Sequence, residues 1–114
     1  MVVLEPAAVV ILRFPFSDLS SSKLRPALVL APATDNEWIV CAITSNPYAD
    51  SSAIELTQQS FATGGLRGRA YVRPFKVFTV DPSLVTGRAG KLQPASYRAA
   101  VEALVNVLSA SLLS

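Results

Sequence analysis

The sequence predicts a mainly β chain, a small and mostly antiparallel barrel followed by one C-terminal α-helix. Three observations carry this reading. Six short β-branched runs are separated by Gly, Pro, Asn and Asp. The last twenty residues switch to helical spacing. The length of 114 residues fits one domain, residues 1–114, able to bury roughly two thirds of its unfolded surface around one core.

The first run, AVVILRF (8–14), ends an N-terminus, MVVLEPAAVVILRF, that is apolar enough to suggest a signal peptide. It lacks a basic leader, carries Glu5 and Pro6 and is interrupted at Arg13, so it reads as a strand. PALVLA (26–31) and EWIVCAI (37–43) follow, joined by TDNE (34–37), where Asp35 and Asn36 tolerate the positive φ of a tight hairpin. AIEL (53–56) is a short strand, and TGGLRG (63–68) reads as a flexible surface loop. AYVRP (70–74) and KVFTV (76–80) complete the sheet. Tyr97, Val101, Leu104, Leu108 and Leu112 then recur at helical spacing, with Arg98, Glu102, Asn106 and Ser109 on the opposite face. Pro94 suits the first turn of this helix, Gln93 is a weak N-cap, and the helix is expected to lid one end of the barrel.

Composition narrows the function classes. With 51% apolar and only 16% charged residues, some apolar surface is expected to be covered by another chain. A net charge of +2 is too small for bulk attraction to nucleic acid, but RGRAYVRPFK (67–76) gathers Arg67, Arg69, Arg73 and Lys76 around Tyr71 and Phe75 without an acid. The single Cys41 excludes an internal disulfide and sits among apolar neighbours as a small core residue, which fits a reducing cytoplasm. No uncharged apolar run approaches the ~18 to 20 residues that cross a bilayer, so no membrane partner is expected.

The absence of histidine excludes a Ser-His-Asp triad, a His-based ribonuclease pair and a His-containing zinc site. One cysteine makes no thiolate cage, and Gly64, Gly65 and Gly68 lack phosphate-binding spacing. Asp18, Glu37, Asp50, Glu55 and Asp81 are not clustered, so neither metal nor cofactor is expected. An enzyme built from this chain must work with arginines, hydroxyls and at most a carboxylate. That set suits attack of a ribose 2′-OH on its own phosphate, because guanidinium and hydroxyl donors stabilise the charge on the phosphorane oxygens.

Two stretches supply candidates. FPFSDLSSSKLRPALVL (14–30) sets Arg25 against Pro26 at the mouth of an apolar strand, where a planar fork can hold two phosphate oxygens. An arginine there is more often a solvated flank. AITSNP (42–47) runs a strand into Thr44, Ser45 and Asn46, well placed to donate to a ligand but also what ordinary turn capping requires. In the basic stripe, alternation puts Tyr71 and Arg73 on one face and Val72 and Pro74 on the other, which leaves a core-facing Tyr71 open.

These stretches at their mutual spacing, followed by YVRPFKVFTVDPSLV and a short helix, resemble the PemK/MazF family of toxin endoribonucleases from about residue 9 to 108. The resemblance implies an SH3-like barrel with a C-terminal helix, a homodimer, and metal-independent cleavage of single-stranded RNA at short motifs that leaves a 2′,3′-cyclic phosphate and a 5′-OH. By the same likeness Arg25 and Thr44 are the catalytic pair. The loop from Ser17 to Leu24 would fold over the substrate, with Ser17 and Lys23 as contacts, and Ser45, Asn46, Arg69 and Arg73 complete the substrate-binding set. The implied partners are a small antitoxin whose disordered tail fills the groove and, for the toxin–antitoxin pair, operator DNA.

Three positions depart from the family pattern. Ala7-Ala8 stands where a Gly-Asp pair is usual, serines replace the loop glycine within Ser20 to Ser22, and Phe75 takes an acidic position before Lys76. They keep open a non-catalytic member that binds antitoxin or operator DNA. A gyrase poison of the CcdB type is a weaker alternative, because LSASLLS at the end of the helix lacks the aromatic and charged residues of those toxins.

Overall fold

The computed structural model describes residues 2–14, 23–47 and 49–114. Its strands are β1 (Ala8–Phe14), β2 (Lys23–Pro32), β3 (Trp38–Thr44), β4 (Ile54–Leu56), β5 (Phe61–Gly64), β6 (Ala70–Val80) and β7 (Val85–Leu92), followed by α1 (Pro94–Leu112). They form one antiparallel sheet in the order β4-β6-β3-β2-β1-β7-β5. The two edge strands, β4 and β5, are consecutive in the chain, and only Thr57 and the 3-10 turn Gln58–Ser60 lie between them. Five residue steps reach at most about 18 Å, whereas the edges of a flat seven-stranded sheet would stand about 29 Å apart at ~4.8 Å per strand. The sheet therefore has to curl until its edges nearly meet, which makes the expected barrel.

Strands β1 to β3 are apolar on both faces, as their unbroken hydrophobic runs require. Val9, Leu28, Leu30, Cys41 and Ile43 point into the barrel with Val72, Leu92 and Ala100. The alternate residues Ala8, Val10, Leu12, Ala27, Val29 and Val40 form a second buried cluster under Val2, Leu4, Trp38, Phe78 and Val85. Burial pushes the Cys41 thiol up to about 12, so at neutral pH it is an unreactive core group.

Several elements differ from expectation. The segment expected to be a surface loop begins inside β5, which pairs with a strand the sequence did not signal, β7. Gly64 adopts φ +69, and a Cβ on it would lie 2.1 Å from the Ala89 carbonyl oxygen; a Cβ on Gly90 would lie 2.3 Å from that of Thr63. Glycine at both sites is what lets the strands touch. Strand β6 is continuous through Pro74, because the register against β3 jumps between Cys41↔Val77 and Ile43↔Val72, and the proline sits in that irregularity, where its missing N–H breaks no regular ladder. The 34–37 turn is present, with Ala33 N–H donating to the Glu37 carbonyl at 2.9 Å. Neither Asp35 nor Asn36 takes positive φ, so the turn needs no left-handed residue.

Among described non-glycine residues, positive φ occurs only at Ala7 (φ 76). It occupies the third position of a Glu5-Pro6-Ala7-Ala8 turn closed by Ala8 N–H to Glu5 O at 3.1 Å, the position of a type II turn that favours glycine. Ala7 N–H then donates to Val29 O, and Leu92 N–H donates to Ala7 O, tying the turn to β2 and β7.

Helix α1 starts at Pro94 with no side-chain cap from Gln93. Its first half lids the barrel. Ala100 is buried, Tyr97, Val101 and Leu104 pack on the inner cluster, and the Tyr97 hydroxyl donates to Leu30 O at 2.6 Å. The apolar face expected to continue through Leu108 and Leu112 does not stay covered: these are 59% and 85% exposed, because the last turns run past the barrel wall. No described helix is long and apolar enough to cross a membrane.

Candidate functional site

Arg25 and Thr44 come together through strand register. Strands β2 and β3 pair Ala27 with Ala42, and continuing that register by two residues sets Arg25 opposite Thr44. With a side-chain period of two, both leave the sheet on the side of Ala27 and Ala42. Pro26 restricts Arg25 to extended backbone and so fixes the direction in which the guanidinium sets out. Thr44 also pairs with Tyr71 of β6, so Arg25, Thr44 and Tyr71 form one cross-strand row.

These strand ends line a cleft of about 360 Å³. Among the described residues Lys23, Arg25, Arg67 and Arg69 supply four cations, Thr44 and Ser45 two hydroxyls, and Ile11, Pro26, Ile43 and Leu66 an apolar lining, and no carboxylate is one of them. Four positive side chains gathered with hydroxyl donors suit a polyanion.

The Thr44 hydroxyl has two roles. Asn46 N–H donates to Thr44 Oγ1 at 3.2 Å, and the same hydroxyl donates to Asn46 O at 3.2 Å. This is the turn-capping arrangement allowed for in the sequence, and it coexists with a place in the cleft. The accepted bond fixes the oxygen, while the donated one is long enough for the proton to swing to a ligand.

The remaining expected site residues divide. Lys23, Ser45 and Arg69 line the cleft with the pair. Asn46 lies beside it, in an adjoining depression that also includes Ser45, Pro47, Arg69 and Tyr71. Arg73 lines neither: its Nε donates to Asp50 Oδ2 at 2.8 Å, holding the loop before β4. Asp50 also accepts from the Ser52 hydroxyl and, at 2.9 Å, from Ser52 N–H. The Ser52 hydroxyl first, and Arg73 second, hold the Asp50 carboxyl below its ordinary range. Ser17, with most of the loop expected to cover a substrate, lies outside the described residues. Arg67 was absent from the expected site set although it stood in the same acid-free run, and that run was the signal. Val72 and Pro74 are buried while Tyr71 and Arg73 are only half-buried, so Tyr71 is not the core-facing residue of its strand.

A model of the PemK-like, MazF-like toxins of type II toxin–antitoxin systems matches residues 5–108. The chain belongs to this toxin family. No curated protein matches it in sequence. Among solved structures, MazE–MazF from Deinococcus radiodurans superposes with a TM-score of 0.75 at 20% identity, over 95% of this chain and 98% of that one. The Mycobacterium tuberculosis toxin MazF-mt6 gives 0.67 at 19% identity, over 90% and 96%. An endoribonuclease in complex with its cognate antitoxin from a mycobacterial species gives 0.66 at 14% identity, over 90% of each chain. At such identities the likeness shows a shared fold, and the toxin's chemistry has to be argued from its own cleft.

Proposed function

We propose that this toxin is a metal-independent endoribonuclease that cuts single-stranded RNA at short motifs, leaving a 2′,3′-cyclic phosphate and a 5′-OH. The observation that carries the reading is the cleft in which Arg25 and Thr44 meet beside three further cations, with no carboxylate among its described lining residues. The substrate brings its own nucleophile: the O2′–P bond forms as the P–O5′ bond breaks, and the 2′ proton passes to water. Arg25 acts first as a bidentate donor to the phosphorane oxygens. The departing 5′ alkoxide is a strong enough base to take a proton from Arg25, which water then restores. Thr44 contributes a second donor to the same oxygens, and Lys23, Arg67 and Arg69 hold the flanking phosphates. By the same reading the toxin acts in the cytoplasm as a homodimer, is neutralised by a small antitoxin that occupies this groove, and binds operator DNA when paired with it. The mycobacterial endoribonuclease–antitoxin complex and the Deinococcus MazE–MazF structure support the antitoxin partner.

The test is incubation of purified protein with a long RNA in EDTA. Discrete fragments with 5′-OH ends are expected, and Arg25→Ala abolishes them. Equal silence of wild type and Arg25→Ala on varied RNAs would remove the enzyme reading. A non-catalytic toxin that binds antitoxin or operator DNA is the second reading. It is favoured by Ala8, fully buried in the outer apolar cluster at the position where the family pattern has an acid.

A further inference from the structure

The depression beside the cleft encloses about 590 Å³ and shares Ser45 and Arg69 with it, so the two are continuous. Its distinctive members are Tyr71, Asn46 and Pro47. Because Val72 and Pro74 take the core side of β6, Tyr71 is turned to the outer side, half-buried and held by a strand rather than a loop. It lies two strand spacings, about 10 Å, from Arg25 along the cross-strand row through Thr44. The backbone of Asn46 is anchored on the Thr44 hydroxyl, while the residue itself is exposed. An aromatic ring fixed on a rigid element, a carboxamide with one donor group and one acceptor, and a shared arginine together match an unstacked nucleobase, which offers a π face and a hydrogen-bonding edge next to a phosphate.

We infer that this depression is a nucleobase subsite: Tyr71 stacks on the base of the nucleotide adjoining the scissile phosphate, and Asn46 reads that base's edge. The inference rests on the endoribonuclease reading and makes Tyr71 and Asn46 determinants of the cleavage motif rather than of the bond-breaking step. Phosphate contacts hold the strand without regard to sequence, so discrimination has to come from residues of this kind.

Two assays test it on the purified toxin and its Tyr71→Ala, Tyr71→Phe and Asn46→Ala variants, each checked for native circular dichroism. The first measures affinity by fluorescence anisotropy for a mixed-sequence 2′-O-methyl oligoribonucleotide, which lacks the attacking hydroxyl and stays intact. Tyr71→Ala weakens binding roughly 5- to 150-fold, and Tyr71→Phe retains it because the ring remains. The second sequences the fragment ends of a long RNA: Asn46→Ala broadens the base preference at one position beside the cut and leaves the others unchanged. Wild-type affinity in Tyr71→Ala together with an unchanged motif in Asn46→Ala overturns the subsite, while Arg25-dependent cleavage keeps the parent reading intact. If the wild type neither binds the oligoribonucleotide nor cuts RNA, the parent reading falls and the subsite with it.

Discussion

Cations occur in two settings in this toxin. Around the N-terminal turn, Glu5 accepts from Arg88 at 2.9 Å and from Lys91 at 2.6 Å, and Arg88 also donates to Val3 O. There the positive side chains have a partner, and their work is to hold the first residues against β7. At the other setting, the ends of β2, β3 and β6, four cations line one cleft and no carboxylate stands among its described lining residues. A chain with ten basic residues and eight acidic ones has enough acids to neutralise most of its charge. Gathering four bases at the ends of three neighbouring strands concentrates positive potential where a ligand can meet it. Arg73 belongs to the first kind although it lies in the sequence run of the second, because Asp50 already holds it.

The contrast is broken most severely at Arg25. Arg25→Ala is expected to cost the cleavage rate at least the about 10²- to 10³-fold that removal of one transition-state donor costs elsewhere, with a melting temperature close to wild type; a large fall in melting temperature would move Arg25 to the structural class. Lys23→Ala and Arg67→Ala sharpen the contrast from the ligand side. Each is expected to reduce the slope of log affinity for single-stranded RNA against log salt by about 0.7, read by anisotropy titrations, again without loss of stability. Arg73→Ala should behave in the opposite way, costing about 1 kcal/mol of stability, or roughly 4 °C in melting temperature, while RNA cleavage stays near wild type.

The smallest effect is expected at Glu5. Hydrogen bonds from Lys91 first and Arg88 second hold its carboxyl below the ordinary glutamate range. Its contribution to stability is therefore present above the unfolded-state pKa and is lost as pH falls through the lowered folded value. Glu5→Gln should remove that part of the acid dependence in melts taken between neutral pH and the acid range.

Sequence pattern was sufficient for the strands with unbroken apolar runs and for the start of the helix, because burial on both faces leaves those runs no other use. Strands β5 and β7 were illegible for a physical reason: Gly64, Gly87 and Gly90 look like loop residues, yet two of them are small because the strands approach so closely. The end of α1 misled in the other direction, since helical spacing shows which residues share a face but not how far the barrel wall beneath them extends. At the site, Arg25, Thr44, Lys23, Ser45 and Arg69 could be named from three short stretches and a family likeness. The detachment of Arg73 could not, because it depends on Asp50, 23 residues away. Nor could the placing of Tyr71 outward, since alternation gives two faces without saying which is the core.

The short link between Leu56 and Phe61 has a mechanical meaning. A protease nick within Gln58–Ser60 would divide the chain into one piece carrying β1 to β4 and another carrying β5 to α1, with no strand ladder cut. The β1/β7, β3/β6 and β4/β6 ladders would each still run from one fragment to the other. The barrel is in effect two interlocked halves with a single covalent stitch, and two separately made fragments have the hydrogen-bonding surfaces needed to reassemble it.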